Sequence, residues 1–306
     1  MGLISIVKRS GASGYGSSTT AEQVTDGLDL RDKIYIVTGC NSGLGKETVR
    51  VLALRGASVF ALSRTFDKAQ RVADEISGLI FPIECDLSEP RSIRSAISCI
   101  RKENVEIDGL IANAGIMALP KLNTKYNLEL QFLTNHVGHF ILVTELLNNL
   151  KEQGRIVMVS SAAHEMVRSN GINFDNLSGD YGYSPFGSYG QSKLCNLLFA
   201  RHLATRLKNS GRTSNAVHPG VILTPLIKNV SPIMRIAGNI VSPIFMKNVE
   251  QGAATQVYVA TNPNLNNTTG NYFADCNIKR PSPLGSDVAL ATELWDRTET
   301  IVDSLP

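Results

Sequence analysis

A single α/β domain, built on a doubly wound parallel sheet with helices on both faces, is the fold class this sequence predicts. Three observations predict it. From about residue 32, short apolar runs alternate with longer helical stretches, the rhythm of successive βαβ units. A glycine-rich turn joins the first run to the first helical stretch, as in parallel sheets whose first strand feeds a helix through a tight turn. No Pro/Gly-rich linker or internal repeat splits the series, so one domain over residues 30–306 is the economical reading.

The elements follow in order. Lys33–Thr38 reads as the first strand, Gly43–Arg55 as the helix after it, Ala57–Leu62 as the second strand and Phe66–Ser77 as its helix. Further strand candidates are Gly78–Cys85, Asp108–Ala112, Arg155–Ser160 and Ser214–His218, and Asn271–Ala274 is placed to close the sheet. Before them lies Arg9–Thr20, rich in Gly and Ser. That composition predicts a flexible N-terminal tail over residues 1–29.

Composition narrows the function classes. The net charge is only +3, with Lys and Arg scattered among Asp and Glu, so nucleic acid is not an expected partner. Five widely spaced cysteines form no CxxC pair, which predicts reduced packing thiols and no metal cage. The apolar run at residues 1–7 is too short for a secretory h-region or a spanning helix. An intracellular protein, soluble or peripherally associated with a membrane, is the expectation.

Thr38-Gly-Cys-Asn-Ser-Gly-Leu-Gly45 runs from the first strand into a helix. In that context Gly39, Ser42, Gly43, Leu44 and Gly45 are candidates for a dinucleotide cradle, because glycines permit close backbone approach and a helix N-terminus favours phosphate. At the end of the second strand an acidic residue would hold an adenosine ribose. Here Arg64 stands there instead, a planar cation suited to a 2′-phosphate, and NADP(H) is the expected cofactor. Asp86 after the third strand could accept from an adenine amino group or serve as a local cap; both readings stay open. Tyr189 and Lys193 are four apart on one helix face, which sets an ammonium beside a phenol and predicts a lowered phenol pKa suited to acid/base work.

Asn113-Ala114-Gly115 after the fourth strand, Asn135 in a long helical segment, Ser160-Ser161 at the fifth strand end, Tyr189/Lys193 and Pro219-Gly220-Val-Ile-Leu-Thr224 complete an ordered set. With them, residues 30–275 resemble the short-chain dehydrogenase/reductase family, in the motifs TGxxxGxG, NAG, YxxxK and PGxxxT. Glu129–Phe140, Ser160–His164 and Tyr189–Asn196 look like its retinol-dehydrogenase-like and WW-domain-oxidoreductase-like branch; the N-terminal stretch is similar to plant members of the Tic32 type. The resemblance implies a Rossmann-type domain and an NADP(H)-dependent oxidoreductase. It implies Ser161 in preference to Ser160 as the group that holds a carbonyl oxygen, Tyr189 as acid/base, Lys193 as its pKa-lowering partner and ribose ligand, and Asn135 as anchor of a water leading to solvent. Asn113, Ala114, Gly115, Pro219, Gly220 and Thr224 would line the cofactor.

The apolar, proline-broken stretch at about 222–248 falls where the family carries a substrate lid. It predicts a hydrophobic alcohol, ketone or aldehyde as substrate, or contact with a membrane surface. A homo-oligomer is compatible with the family. The competing reading is an NADP(H)-binding redox sensor or scaffold acting through partner contacts; a nucleotide-sugar epimerase shares YxxxK but calls for a larger C-terminal domain. His136 and His139, three apart on a helix and lacking a third ligand, read as packing or surface residues.

Overall fold

The computed structural model describes residues 10–167, 170–222 and 246–306. The substrate-lid stretch from 223 to 245, and Thr224 with it, lie outside them. We label the strands of the main sheet β1 Ile34–Thr38, β2 Ser58–Ser63, β3 Leu79–Glu84, β4 Ile107–Ala112, β5 Leu150–Val159, β6 Thr213–His218, β7 Tyr272–Ala274 and β8 Asn277–Lys279. The helices are α1 Ala21–Val24, α2 Gly43–Leu54, α3 Phe66–Glu75, α4 Pro90–Lys102, α5 Gly138–Leu146, α6 Pro185–Arg206, α7 Val249–Thr261 and α8 Val288–Ser304.

The order across the sheet is β8-β7-β6-β5-β4-β1-β2-β3. Pairing is parallel from β3 through β7. The sheet does not close at β7, as the sequence suggests: β8 turns back antiparallel on it, through Asp275 and Cys276 at positive φ. Strand alternation divides the core. Ile36, Leu110, Ile156 and Ala216 face the helices α4, α5, α6 and α8, while Val37, Ile111, Val157 and Val217 face α2 and α7. Both faces are therefore buried, as a parallel sheet requires. Chain order reverses between β1 and β4, and a doubly wound sheet opens its ligand crevice at that point.

The N-terminal segment differs from its composition. From Ser10 onward it is docked, where flexibility is expected through residue 29. The Asn277 side chain accepts from Ser13 N–H and donates to the Tyr15 carbonyl, and Tyr15 meets Tyr258 of α7 edge to face at 5.5 Å. Thr20 and Gln23 form a capping box on α1, and α1 buries Ala21 and Val24. Side-chain hydrogen bonds and two buried apolar residues outweigh the Gly/Ser bias toward disorder. Cys99, expected to pack, is exposed, while the other four thiols are buried and all five are free.

Candidate active site

The carboxyl ends of β1, β4, β5 and β6 open into a cavity of about 900 Å³. Its floor begins at the glycine turn. Gly39 holds φ +67°, and a Cβ there would lie 2.8 Å from the Ala114 Cα; a Cβ on Gly45 would come within 2.2 Å of the Gly39 carbonyl oxygen. The β1–α2 turn and the β4 turn thus touch backbone to backbone. Ser42 caps α2 with no side-chain hydrogen bond, which leaves the first N–H groups of that helix without a side-chain partner at the cavity. Such a terminus suits a phosphate.

Gly39, Ser42, Gly43, Leu44, Gly45, Arg64, Asp86, Asn113, Ala114, Gly115, Ser161, Tyr189, Lys193, Pro219 and Gly220 all line this one cavity. Thr224 lies outside the described residues. Asp86 closes a local turn, its Oδ1 accepting from Ser88 N–H and Oγ–H at 2.9 and 2.7 Å. It is not the helix cap, because Glu89 occupies that position on α4, followed by Pro90. Ser63 takes the place after which Arg64 follows, and its hydroxyl lies 3.1 Å from Cys40 Sγ. Lys68, which the sequence does not single out, also lines the cavity from the first turn of α3; a lone lysine on a helix carries no local signal of that.

The strand β5 stops at Val159, so both serines stand beyond it and not within it. Ser160 turns inward and donates to the Lys193 carbonyl at 2.7 Å. Ser161 lines the cavity together with Tyr189, and its Oγ accepts from Ala163 N–H at 3.2 Å. Lys193 Nζ donates to the Val159 carbonyl at 3.0 Å and sits 5.8 Å from the Tyr189 ring centroid. A Cβ on Gly115 would lie 3.4 Å from that ammonium and 3.2 Å from Asn135 Oδ1, so the glycine leaves room for both.

The expected electrostatics of the pair are reversed. Burial pushes Tyr189 up to about 12, against a smaller downward pull from Ser161, and pushes Lys193 down to about 8. Desolvation penalises whichever form is charged, and here it is the leading cause for both groups. Asn135 falls in a π-helical turn, Leu133–Val137, before α5, a distortion frequent at functional sites. Its side chain is fully engaged: Oδ1 accepts from Ile116 N–H at 2.8 Å, and Nδ2 donates to the Ile116 carbonyl at 3.0 Å and to Ser192 Oγ at 2.9 Å.

Several supporting residues escape sequence reasoning. The Thr38 hydroxyl accepts the N–H groups of Asn113 and Ala114. Gln256 on α7 donates to Asn113 Oδ1 at 3.1 Å. His164 is not among these, since its place after the serines already reads as a loop histidine bonded to backbone: Nε2 accepts from Ser282 N–H, and Nδ1 lies 2.6 Å from the Ser161 carbonyl.

The apolar residues Ile116, Met117, Leu119, Leu130, Met166 and Phe186 line the same cavity as Ser161 and Tyr189. Among the described residues, no helix is long and apolar enough to cross a membrane.

Comparison with known proteins agrees with this architecture. The family described as short chain dehydrogenase matches residues 33–234. The chain is 42% identical to the short-chain dehydrogenase TIC 32 A, chloroplastic, of Brassica napus, over 98% of each chain. It is 39% identical to retinol dehydrogenase 11 of Homo sapiens, over 89% of this chain and 86% of that one. A solved structure of an uncharacterized protein from Mycobacterium Paratuberculosis superposes with a TM-score of 0.74 at 31% identity, covering 92% of this chain and 97% of that one. The fold implies a nicotinamide cofactor, and the chain belongs to the short-chain dehydrogenase family of oxidoreductases.

Proposed function

We propose that the protein is an NADP(H)-dependent oxidoreductase interconverting a hydrophobic alcohol and its ketone or aldehyde. One observation carries the reading: Ser161 and Tyr189 line the same cavity as a group of apolar side chains and the glycine cradle. The cradle fits a dinucleotide, since Cβ atoms at Gly39 and Gly45 would close it and the α2 terminus is uncapped by its side chain. The coenzyme, when bound, supplies or accepts the hydride. Gly39, Ser42, Gly43, Leu44 and Gly45 hold its pyrophosphate, Arg64 takes the 2′-phosphate with Lys68 beside it, Asp86 faces the adenine, and Asn113, Ala114, Gly115, Pro219, Gly220 and Thr224 line the remainder.

Ser161 hydrogen-bonds the substrate oxygen, and Tyr189 exchanges the proton with it. A phenol held up at about 12 keeps its proton at neutral pH, which suits donation in the reductive direction. Lys193 holds the nicotinamide ribose, and Asn135 fixes the Ile116 backbone beside it. The substrate's apolar body lies against Met117, Leu119 and Phe186, with the exposed lining residues Met166 and Val221.

The test is NADPH oxidation across a panel of retinoid, steroid and fatty aldehydes and ketones, with wild type beside Tyr189→Phe. Wild type turns over at least one carbonyl, and Tyr189→Phe loses about 10²–10⁴-fold in rate with NADPH affinity retained. Unchanged turnover in the variant would remove Tyr189 from the chemistry. NADPH binding with no turnover on any carbonyl would move the reading to a cofactor-binding protein that acts through partners.

A further inference from the structure

His139 is fully buried on α5, and its hydrogen bonds admit one proton arrangement. Nδ1 lies 2.9 Å from the Asn135 carbonyl, which can only accept, so Nδ1 carries the hydrogen. In the neutral ring Nε2 is then a bare acceptor, and the Thr38 hydroxyl 2.9 Å away donates to it. That hydroxyl already accepts from Asn113 N–H at 3.0 Å and Ala114 N–H at 2.9 Å, which uses its full capacity of one donor and two acceptor sites. Burial keeps the ring neutral, pushing His139 down to about 4.

The bonds close into a ring. From the Asn135 carbonyl the path runs through His139 to Thr38, from Thr38 to Asn113 and Ala114, along the chain through Gly115 to Ile116, and back to the Asn135 side chain by its paired bonds. We propose that His139 is a positioning residue, which closes this ring and so sets the Asn113–Ile116 turn against Lys193 and Asn135. The inference rests on the reading that this turn lines the NADPH site. Its two nitrogens do separate work: Nε2 anchors the start of the turn through Thr38, and Nδ1 orients Asn135.

Two substitutions in the full chain separate these roles. His139→Asn puts an amide donor near the Nδ1 position and no acceptor within reach of Thr38; His139→Gln puts an acceptor near the Nε2 position and no donor on Asn135. In His139→Asn, hydrogen exchange at the Asn113 and Ala114 amides speeds up about tenfold and the NADPH Kd rises by a similar factor. In His139→Gln both stay close to wild type, while kcat falls about tenfold. Equal behaviour of the two variants in amide exchange, whether both slow or both fast, would reduce the histidine to a space-filler and overturn the proposal. Amide exchange needs no turnover. A wild-type protein that reduces no carbonyl therefore sinks the proposed function alone, and the exchange comparison still decides the role of His139.

Discussion

Lys193 holds its ammonium 5.8 Å from the centre of the Tyr189 ring while donating to the Val159 carbonyl at 3.0 Å. The lysine is 3% exposed, and it has no carboxylate partner among the described residues. An unpaired buried ammonium is a cost to the fold that a site can bear for its chemistry.

That cost is measurable. Lowering Lys193 from 10.5 to about 8 corresponds to about 3 kcal/mol against the charged form. The folded pKa lies below the unfolded one, so the penalty is present at neutral pH and relieved as pH rises from about 8 toward 10.5. Tyr189, raised from 10.0 to about 12, opposes this only above pH 10. Lys193→Met should therefore raise stability at pH 7 by about 1–3 kcal/mol, because the Val159 carbonyl keeps its bond from Asn196 Nδ2 at 3.1 Å. Denaturant unfolding of the two proteins from pH 7 to 10 should show the gap narrowing. A gap that is constant, or of opposite sign, would mean the ammonium is not penalised.

Arg64 is exposed and lines the cavity with Lys68, and Ser63, not a carboxylate, ends β2. Arg64→Ala should raise the NADPH Kd by about 10–100-fold and leave the NADH Kd nearly unchanged. Lys68→Ala should do the same more weakly, and both losses should shrink as salt is added. Titration by nicotinamide fluorescence reads this out. Equal losses for the two coenzymes would take the 2′-phosphate away from Arg64.

Gly45→Ala places a methyl group 2.2 Å from the Gly39 carbonyl and 2.6 Å from Asn113 Nδ2. One neighbour is backbone and the other is pinned by the Thr38 carbonyl and Gln256, so neither can swing aside. The turn must open, costing about 1–3 kcal/mol and most of the dinucleotide affinity. Thermal melts with and without NADPH would show a lower Tm and a lost ligand shift. A full ligand shift in the variant would show that the cradle does not depend on this contact.

The legible parts of this chain are those set by short-range rules. Alternation placed the parallel strands to within a residue or so at most ends, though β5 begins at Leu150 and not at Arg155, and spacing alone put Tyr189 beside Lys193. What escaped was set by contacts across the sequence. Asn277 holds Ser13 from 264 residues away, and no local composition reports that. The same holds for Thr38, whose hydroxyl looks like any strand-end threonine until Asn113 and Ala114 arrive from another strand. The sign of the Tyr189 shift was lost for a related reason. Proximity of a lysine can be read from helical periodicity, whereas burial of both groups depends on the whole fold.

Gln131 supports the apolar wall from beneath. Its Oε1 accepts from Ala118 N–H at 2.7 Å, and its Nε2 lies 3.2 Å from the Pro185 carbonyl and from the Tyr183 hydroxyl, which donates to the Leu119 carbonyl. Ala118 is buried at φ +49°, a left-handed conformation costly for alanine. The amide thus holds the cavity-lining residues Met117 and Leu119 in a backbone shape they would otherwise leave. Gln131→Leu fills the same space but strands a buried N–H, at about 1–3 kcal/mol, and lets Ala118 relax. The expected result is a KM for the carbonyl substrate raised about tenfold with the NADPH Kd unchanged, since the glycine cradle is not touched. Adding Ala118→Gly, which removes the left-handed penalty, should recover part of the loss. If KM stays put while kcat falls, Gln131 acts on the reacting groups and not on the wall.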